Sequence, residues 1–175
     1  SVHAAAALIE LLKRQRDAFG LSLFADELSL HTPARSSVTH HRFLFTELEK
    51  LLKSYSPEKQ SKTDVTHSLH HVAESIHKRS LVAIFSDMLD TGAKSDEIFS
   101  ALQHLRHNKH DVILFHVTDK KSEQEFQFEN RPYTFVDMES GEEIKLNPAQ
   151  IKEHYVSKMA EFKKDMILKC AQYRV

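Results

Sequence analysis

The sequence predicts a three-layer α/β/α fold, a mostly parallel sheet with helices on both faces. Two observations predict it. Leu81, Val82, Ala83, Ile84 and Phe85 form one uninterrupted apolar run, and Val112, Ile113, Leu114 and Phe115, with Val117 just beyond, form another. Such runs read as strands buried on both faces, as in parallel sheets. Around them lie segments with apolar residues three and four apart, so strands and helices alternate as in βαβ units.

The elements follow in order. Residues 3–16 are Ala-rich, which favours helix, and Ala4, Ala7, Leu8, Leu11 and Leu12 share a face. Gly20 ends that pattern, and residues 21–24 read as an inner strand. Leu28 and Leu30 alternate with Ser29 and His31, which predicts a second strand in a hairpin through Asp26 and Glu27, ended by Pro33. Ser37 or Thr39 is placed to cap a helix carrying Phe43, Leu44, Leu48, Leu51 and Leu52. Residues 54–62 are polar, contain Pro57 and read as an exposed loop. Thr63 opens a helix to Lys78 with Val65, Leu69, Val72, Ala73 and Ile76 inward.

After the first apolar run, Thr91-Gly92 marks a turn. Ser95 caps a helix that buries Ile98, Phe99, Leu102 and Leu105. The second apolar run follows. Phe126-Gln127-Phe128 and Tyr133-Thr134-Phe135-Val136 alternate like short edge strands. Ser140-Gly141 turns the chain toward Ile144-Lys145-Leu146, and Pro148 suits the start of a long last helix through Tyr173. No repeat, low-complexity tract or linker divides residues 1–175, so they read as one domain.

Composition narrows the function classes. Hydrophobic residues at 41% and charged residues at 28% are those of a globular chain with one core. A net charge of −1 gives no broad electrostatic case for nucleic acid. The sole cysteine, Cys170, excludes an internal disulfide framework and fits a reducing, cytoplasmic compartment. No apolar run approaches the roughly 20 residues that span a bilayer. Three glycines leave no phosphate-binding loop of the usual kind, and no Gly-x-Ser-x-Gly elbow occurs.

The candidate site lies where the first apolar run ends in Ser86 and Asp87. In open α/β sheets ligands bind beyond the carboxyl ends of the strands. Thr63 and Asp87 are therefore candidate oxygen ligands for a hard cation. Ser86, Asp64 and Asp90 flank them as partner-binding candidates. Thirteen histidines are unusual. His67, His71 and Glu74 have metal-ligand spacing on one helix, but they read as a solvated face, as do His104, His107 and His110. Cys170 reads as a structural cysteine. Arg106, Lys109, Lys120 and Lys121 form a small basic patch of a solvated kind.

Taken together, these residues resemble a von Willebrand factor A domain. There a metal is held by an Asp-x-Ser-x-Ser motif, a Thr from a later loop and an Asp after a buried strand. Thr63 matches the second element and Asp87 the third; the first does not occur in this sequence. Four stretches tighten the match: Arg16-Asp17-Ala18-Phe19-Gly20-Leu21-Ser22-Leu23-Phe24, Ser86-Asp87-Met88-Leu89-Asp90, the passage from His104 through Val117, and Phe135-Val136-Asp137-Met138-Glu139-Ser140-Gly141-Glu142. In order along nearly the whole chain, they resemble the domain-of-unknown-function family numbered fifty-eight, a branch of the von Willebrand A-like proteins.

That resemblance implies a protein-interaction or assembly module acting with a MoxR-type AAA+ ATPase, and no catalysis. It implies that a strand carrying Asp-x-Ser-x-Ser lies just before Ser1, and that another strand follows Val175. Mg²⁺ is then expected only where that upstream motif is present. It also implies that residues 21–24 and 81–85 flank the upstream strand and do not pair with each other. The alternative from a different class is a divalent-metal-dependent hydrolase or nuclease using Asp87, Asp90 and Asp119 at strand ends.

Overall fold

In the computed structural model the described residues are 1–24, 28–53, 65–88, 95–136, 141 and 143–175. The turn at Asp26 and Glu27, the loop 54–62, Thr91-Gly92 and Ser140 lie outside them.

The first part of the chain is built by helix α1 (Val2–Gln15), strands β1 (Ser22–Phe24) and β2 (Leu28–His31), and helix α2 (Val38–Lys53). β1 and β2 pair antiparallel, Ser22 opposite His31 and Leu23 opposite Leu30. Thr32 locks the base of this hairpin: its hydroxyl accepts the Leu21 N–H at 2.8 Å, and its own N–H donates to the Leu21 carbonyl at 3.0 Å. Phe19 and Arg35 exchange backbone bonds at 3.2 and 3.1 Å just outside it. Gly20 makes this closeness possible, since a Cβ there would stand 2.5 Å from the Thr32 carbonyl oxygen. Ser37 caps α2, its Oγ accepting the His40 N–H at 3.2 Å.

α1 and α2 pack through Ile9, Phe19, Leu44 and Leu48, with Val2, Ala5, Ala6, Leu12 and Phe45 around them. This corrects the expected faces. Val2, Ala5, Ile9 and Leu12 turn inward on α1, while Ala4, Ala7 and Leu11 are exposed. In an Ala-rich helix two stripes are equally apolar, and the larger, stiffer Ile9 selects between them. On α2, Phe43, Leu51 and Leu52 are likewise exposed.

The second part holds helix α3 (Val65–Ser75), strand β3 (Leu81–Ser86), helix α4 (Ser95–His107), strand β4 (Asp111–His116) and helix α5 (Pro148–Tyr173). β3 and β4 are parallel and in register from Leu81 opposite Asp111 to Ser86 opposite His116. Val82, Ile84, Val112 and Leu114 share one face and pack with Leu69 and Ala73 of α3, Ile98, Phe99, Leu102 and Leu105 of α4, and Phe162 and Met166 of α5. Here the helical spacing expected for α3 and α4 is the observed one. Asn108 satisfies a carbonyl of the last turn of α3, donating from Nδ2 to Ala73 at 2.9 Å.

The opposite face of β3–β4 differs from expectation. Leu81, Ile113, Phe115 and Val117 are 55%, 44%, 42% and 36% exposed, and Phe85 stacks on Phe115 at 4.7 Å. Among the described residues the pair is covered on one face only. An apolar run specifies a strand but not what lies over it.

Strands β5 (Tyr133–Val136) and β6 (Glu143–Leu146) form an antiparallel pair beside α5. Phe126-Gln127-Phe128 is not a strand, as Phe126 sits at φ 46°. Its ring is buried against Tyr155 at 4.2 Å and Phe128 at 4.9 Å, so aromatic stacking rather than a ladder orders this segment. A single π-turn at Lys120–Gln124 was not expected. Among the described residues the six strands thus make three two-stranded sheets, an α/β fold with small sheets. β1 belongs to an antiparallel hairpin and pairs with β2, not with β3.

α1, α4 and α5 end alike. Arg16, Lys109 and Arg174 take left-handed φ of 61°, 67° and 59°, and their N–H groups bond back to the final turn. Glycine is the usual residue at this position because a side chain there is strained by about 1–2 kcal/mol. Lys109→Gly is expected to raise stability by about 1 kcal/mol in urea denaturation, since the Lys109 N–H bond to Arg106 O at 2.9 Å is kept.

Candidate functional site

The candidate site is the carboxyl end of β3 and β4. The ladder extends one bond past the strands, with the Val117 N–H donating to the Ser86 carbonyl at 2.9 Å. Beyond it the chain reverses sharply. Met88 lies at φ 55°, a conformation that costs a non-glycine residue about 1–3 kcal/mol and clusters at functional positions. Two bonds hold the reversal. Ser86 Oγ accepts the Met88 N–H at 3.1 Å, and His116 Nε2 donates to the Asp87 carbonyl at 2.9 Å. The carbonyl can only accept, so His116 carries its proton on Nε2. The His116 ring leans on Phe162 of α5 at 6.2 Å.

The outcome is a division of labour at adjacent residues. Met88 is buried in the β3–β4 core, which anchors the turn, and Asp87 is thereby turned out to solvent. Ser86 serves the turn through its hydroxyl. Thr63, Asp64 and Asp90 lie outside the described residues. Met88 and His116 are the members of this end that sequence reasoning missed. His116 follows Phe115 in the second apolar run and lies opposite Ser86, a register that the sequence does not display.

Ser86 and Asp87 alone do not fit Mg²⁺. They supply two oxygen-bearing side chains, whereas Mg²⁺ demands near-octahedral coordination by oxygen at about 2.0–2.1 Å. No group of three His, Cys, Asp or Glu side chains among the described residues is placed to hold a metal. Asp119, the third carboxylate of the hydrolase alternative, is committed elsewhere. Its Oδ1 accepts both the N–H and the hydroxyl of Ser122 at 2.7 Å, capping the π-turn. Those bonds from Ser122 hold its pKa below the ordinary carboxylate value.

Other singled-out residues are placed as follows. His67, His71 and Glu74 are exposed on α3. Cys170 is half-buried against the core, and burial raises its thiol pKa, which disfavours the reactive thiolate. Arg106 is tied to the His110 carbonyl and Asp111 Oδ1, each at 2.7 Å, and Lys120 pairs with Glu125. His110 is nearly fully buried; its Nδ1 accepts the Ser80 N–H at 3.3 Å. Sequence reasoning also passed over His70, whose Nδ1 lies 2.9 Å from Nδ1 of His104. No described helix is long and apolar enough to cross a membrane.

Comparison with known proteins agrees with the motif order. No curated protein and no solved structure matches the chain. The family model described as "Protein of unknown function DUF58" matches residues 1–165, nearly the whole length. This chain, with its α/β fold and strand-end Ser86-Asp87, therefore belongs to the DUF58 family.

Proposed function

We propose that the chain is a von Willebrand A-type protein-interaction or assembly module, acting in the cytoplasm with a MoxR-type AAA+ ATPase and not itself a catalyst. The observation that carries this reading is the exposed apolar face of β3–β4, with Phe85, Ile113, Phe115 and Val117 running toward the end where Asp87 is exposed. An apolar surface beside a carboxylate suits a protein partner, which buries the rings and meets the charge at the rim. Parallel strands are nearly always covered on both faces, which supports a covering partner. Mg²⁺ enters this reading only where an Asp-x-Ser-x-Ser motif preceding Ser1 completes the set begun by Thr63 and Asp87, with Ser86, Asp64 and Asp90 at the rim.

The test is the affinity of the purified chain for a purified MoxR-type AAA+ ATPase, measured by interferometry. Phe115→Ser is expected to weaken binding at least tenfold, since a buried aromatic anchor contributes about 1.5–3 kcal/mol. Asp87→Ala is expected to weaken it less and to reduce its salt dependence. Absence of binding, or an affinity indifferent to both substitutions, would refute the proposal.

A further inference from the structure

α3 is flanked by imidazole pairs on two sides. Toward α4, His70 Nδ1 and His104 Nδ1 are 2.9 Å apart, with ring centroids 5.1 Å apart. Toward β2, the His71 ring meets His31 edge-on at 6.0 Å. α3 also packs on both α4 and β1, so it links the hairpin to the β3–β4 core.

The first pair has a defined proton arrangement. A bond between two Nδ1 atoms needs one donor and one lone pair. Asn108 selects between the two options. Its Nδ2 is fixed by donation to Ala73 at 2.9 Å and faces His104 Nε2 at 3.5 Å. An amide nitrogen only donates, so His104 Nε2 is the acceptor there. His104 then carries its proton on Nδ1 and donates it to His70. Adding a proton to His70 Nδ1 would set two N–H groups against each other and break the bond.

In the second pair, His31 is the ring packed against the hairpin. Burial, together with the charge of His71, holds the His31 pKa below its ordinary value. Its Nδ1 lies 2.9 Å from Ser22 Oγ. Among the described residues the other titratable groups along these elements are His67 and Glu74, one turn either side on α3, and His107 on α4; β1 has none. The ion pairs found among the described residues join none of His31, His70, His71 and His104 to a carboxylate. Glu74 is the carboxylate closest to them along α3, and none of the ion pairs found among the described residues joins it to these rings.

We propose that α3 is a proton-sensitive joint, released from β2 and α4 when the His31–His71 and His70–His104 pairs take up protons. The inference is independent of the interaction reading. The sign follows from proton counting. A depressed imidazole pKa, as at His31, makes the unfolded or released state the better proton binder. The contribution to stability is then fully present above the unfolded histidine value of about 6.5 and is lost as pH falls below it. Each proton excluded from the docked state shifts the opening equilibrium up to about tenfold per pH unit.

Amide hydrogen exchange on the full chain tests this, as protection factors at pH 7.5 and 5.5. Protection in α3 is expected to fall at least about tenfold, while that in α5 changes less than about threefold. In the double variant His31→Gln/His104→Gln the fall in α3 is expected to vanish. A uniform loss across the chain, or the same fall in the variant, overturns the proposal. Should the variant not fold, ring ¹⁵N spectra of the wild-type chain at pH 7.5 decide: His104 protonated on Nδ1 supports the joint, and protonation on Nε2 overturns it.

Discussion

Phe99→Ala is expected to destabilise the protein by about 3–5 kcal/mol, the usual range for emptying a buried aromatic site. Phe99 is 2% exposed at the centre of α4's inward face, with Leu102 and Leu105 beside it. Tyr173 stacks on it at 5.9 Å and Lys169 Nζ lies 5.4 Å above the ring. The cavity therefore opens where α4 meets α5, whose packing rests on Met166 and its neighbours. Natural domains are stable by only about 5–15 kcal/mol, so this one truncation removes a large share. Urea denaturation should show a lower midpoint at unchanged slope. A change below about 1 kcal/mol would mean that α5 collapses into the space or does not pack there.

Leu44→Ala is expected to cost about 2–5 kcal/mol, by the same cavity mechanism in a different place. Leu44 is fully buried between α1 and α2, against Ile9, Phe19 and Leu48. The two core clusters share no residue. The double variant Leu44→Ala/Phe99→Ala should then lose the sum of the single effects to within about 0.5 kcal/mol. A coupling above about 1 kcal/mol would show that the two clusters act as one core. Broadened transitions in the single variants would show instead that the two parts unfold separately.

Sequence periodicity made much of this fold legible. The stripes of α3 and α4 appear as written, because Leu69, Val72, Leu102 and Leu105 are bulky residues on otherwise polar helices. α1 was harder, since alanine contributes to either stripe. The hairpin of β1 and β2 was legible in its alternation, and the expectation that residues 21–24 do not pair with residues 81–85 agrees with the described ladders, in which β1 pairs with β2. The π-turn had a signal that was not used: Asp119 is followed by Ser122 and Glu123, and the Glu123 carboxylate accepts the Asp119 N–H at 2.8 Å while Asp119 caps Ser122. That is the reciprocal pattern of a helix start.

At the candidate site, Ser86-Asp87 after an apolar run was enough to mark the strand end. What holds it was not legible, because it depends on register: His116 reaches the Asp87 carbonyl only because β4 lies parallel to β3 with Ser86 opposite His116. The His70–His104 contact was missed for a related reason. Spacing within α3 drew attention to His67 and His71, whereas the pairing is set by how α3 and α4 cross.

The half-covered β3–β4 pair also governs how the protein behaves as a colloid. Its sequence pI is near 6.9 and its net charge −1, so neutral solutions lend the molecules almost no mutual repulsion. Stacked Phe85 and Phe115 then face solvent on strands whose only described ladder is to each other. An apolar ribbon of this kind is a template for strand addition by another molecule. Solubility is thus low where the chain would ordinarily be handled. Neutralising the thirteen imidazoles toward pH 8 leaves the same net charge of −1 and adds almost no repulsion.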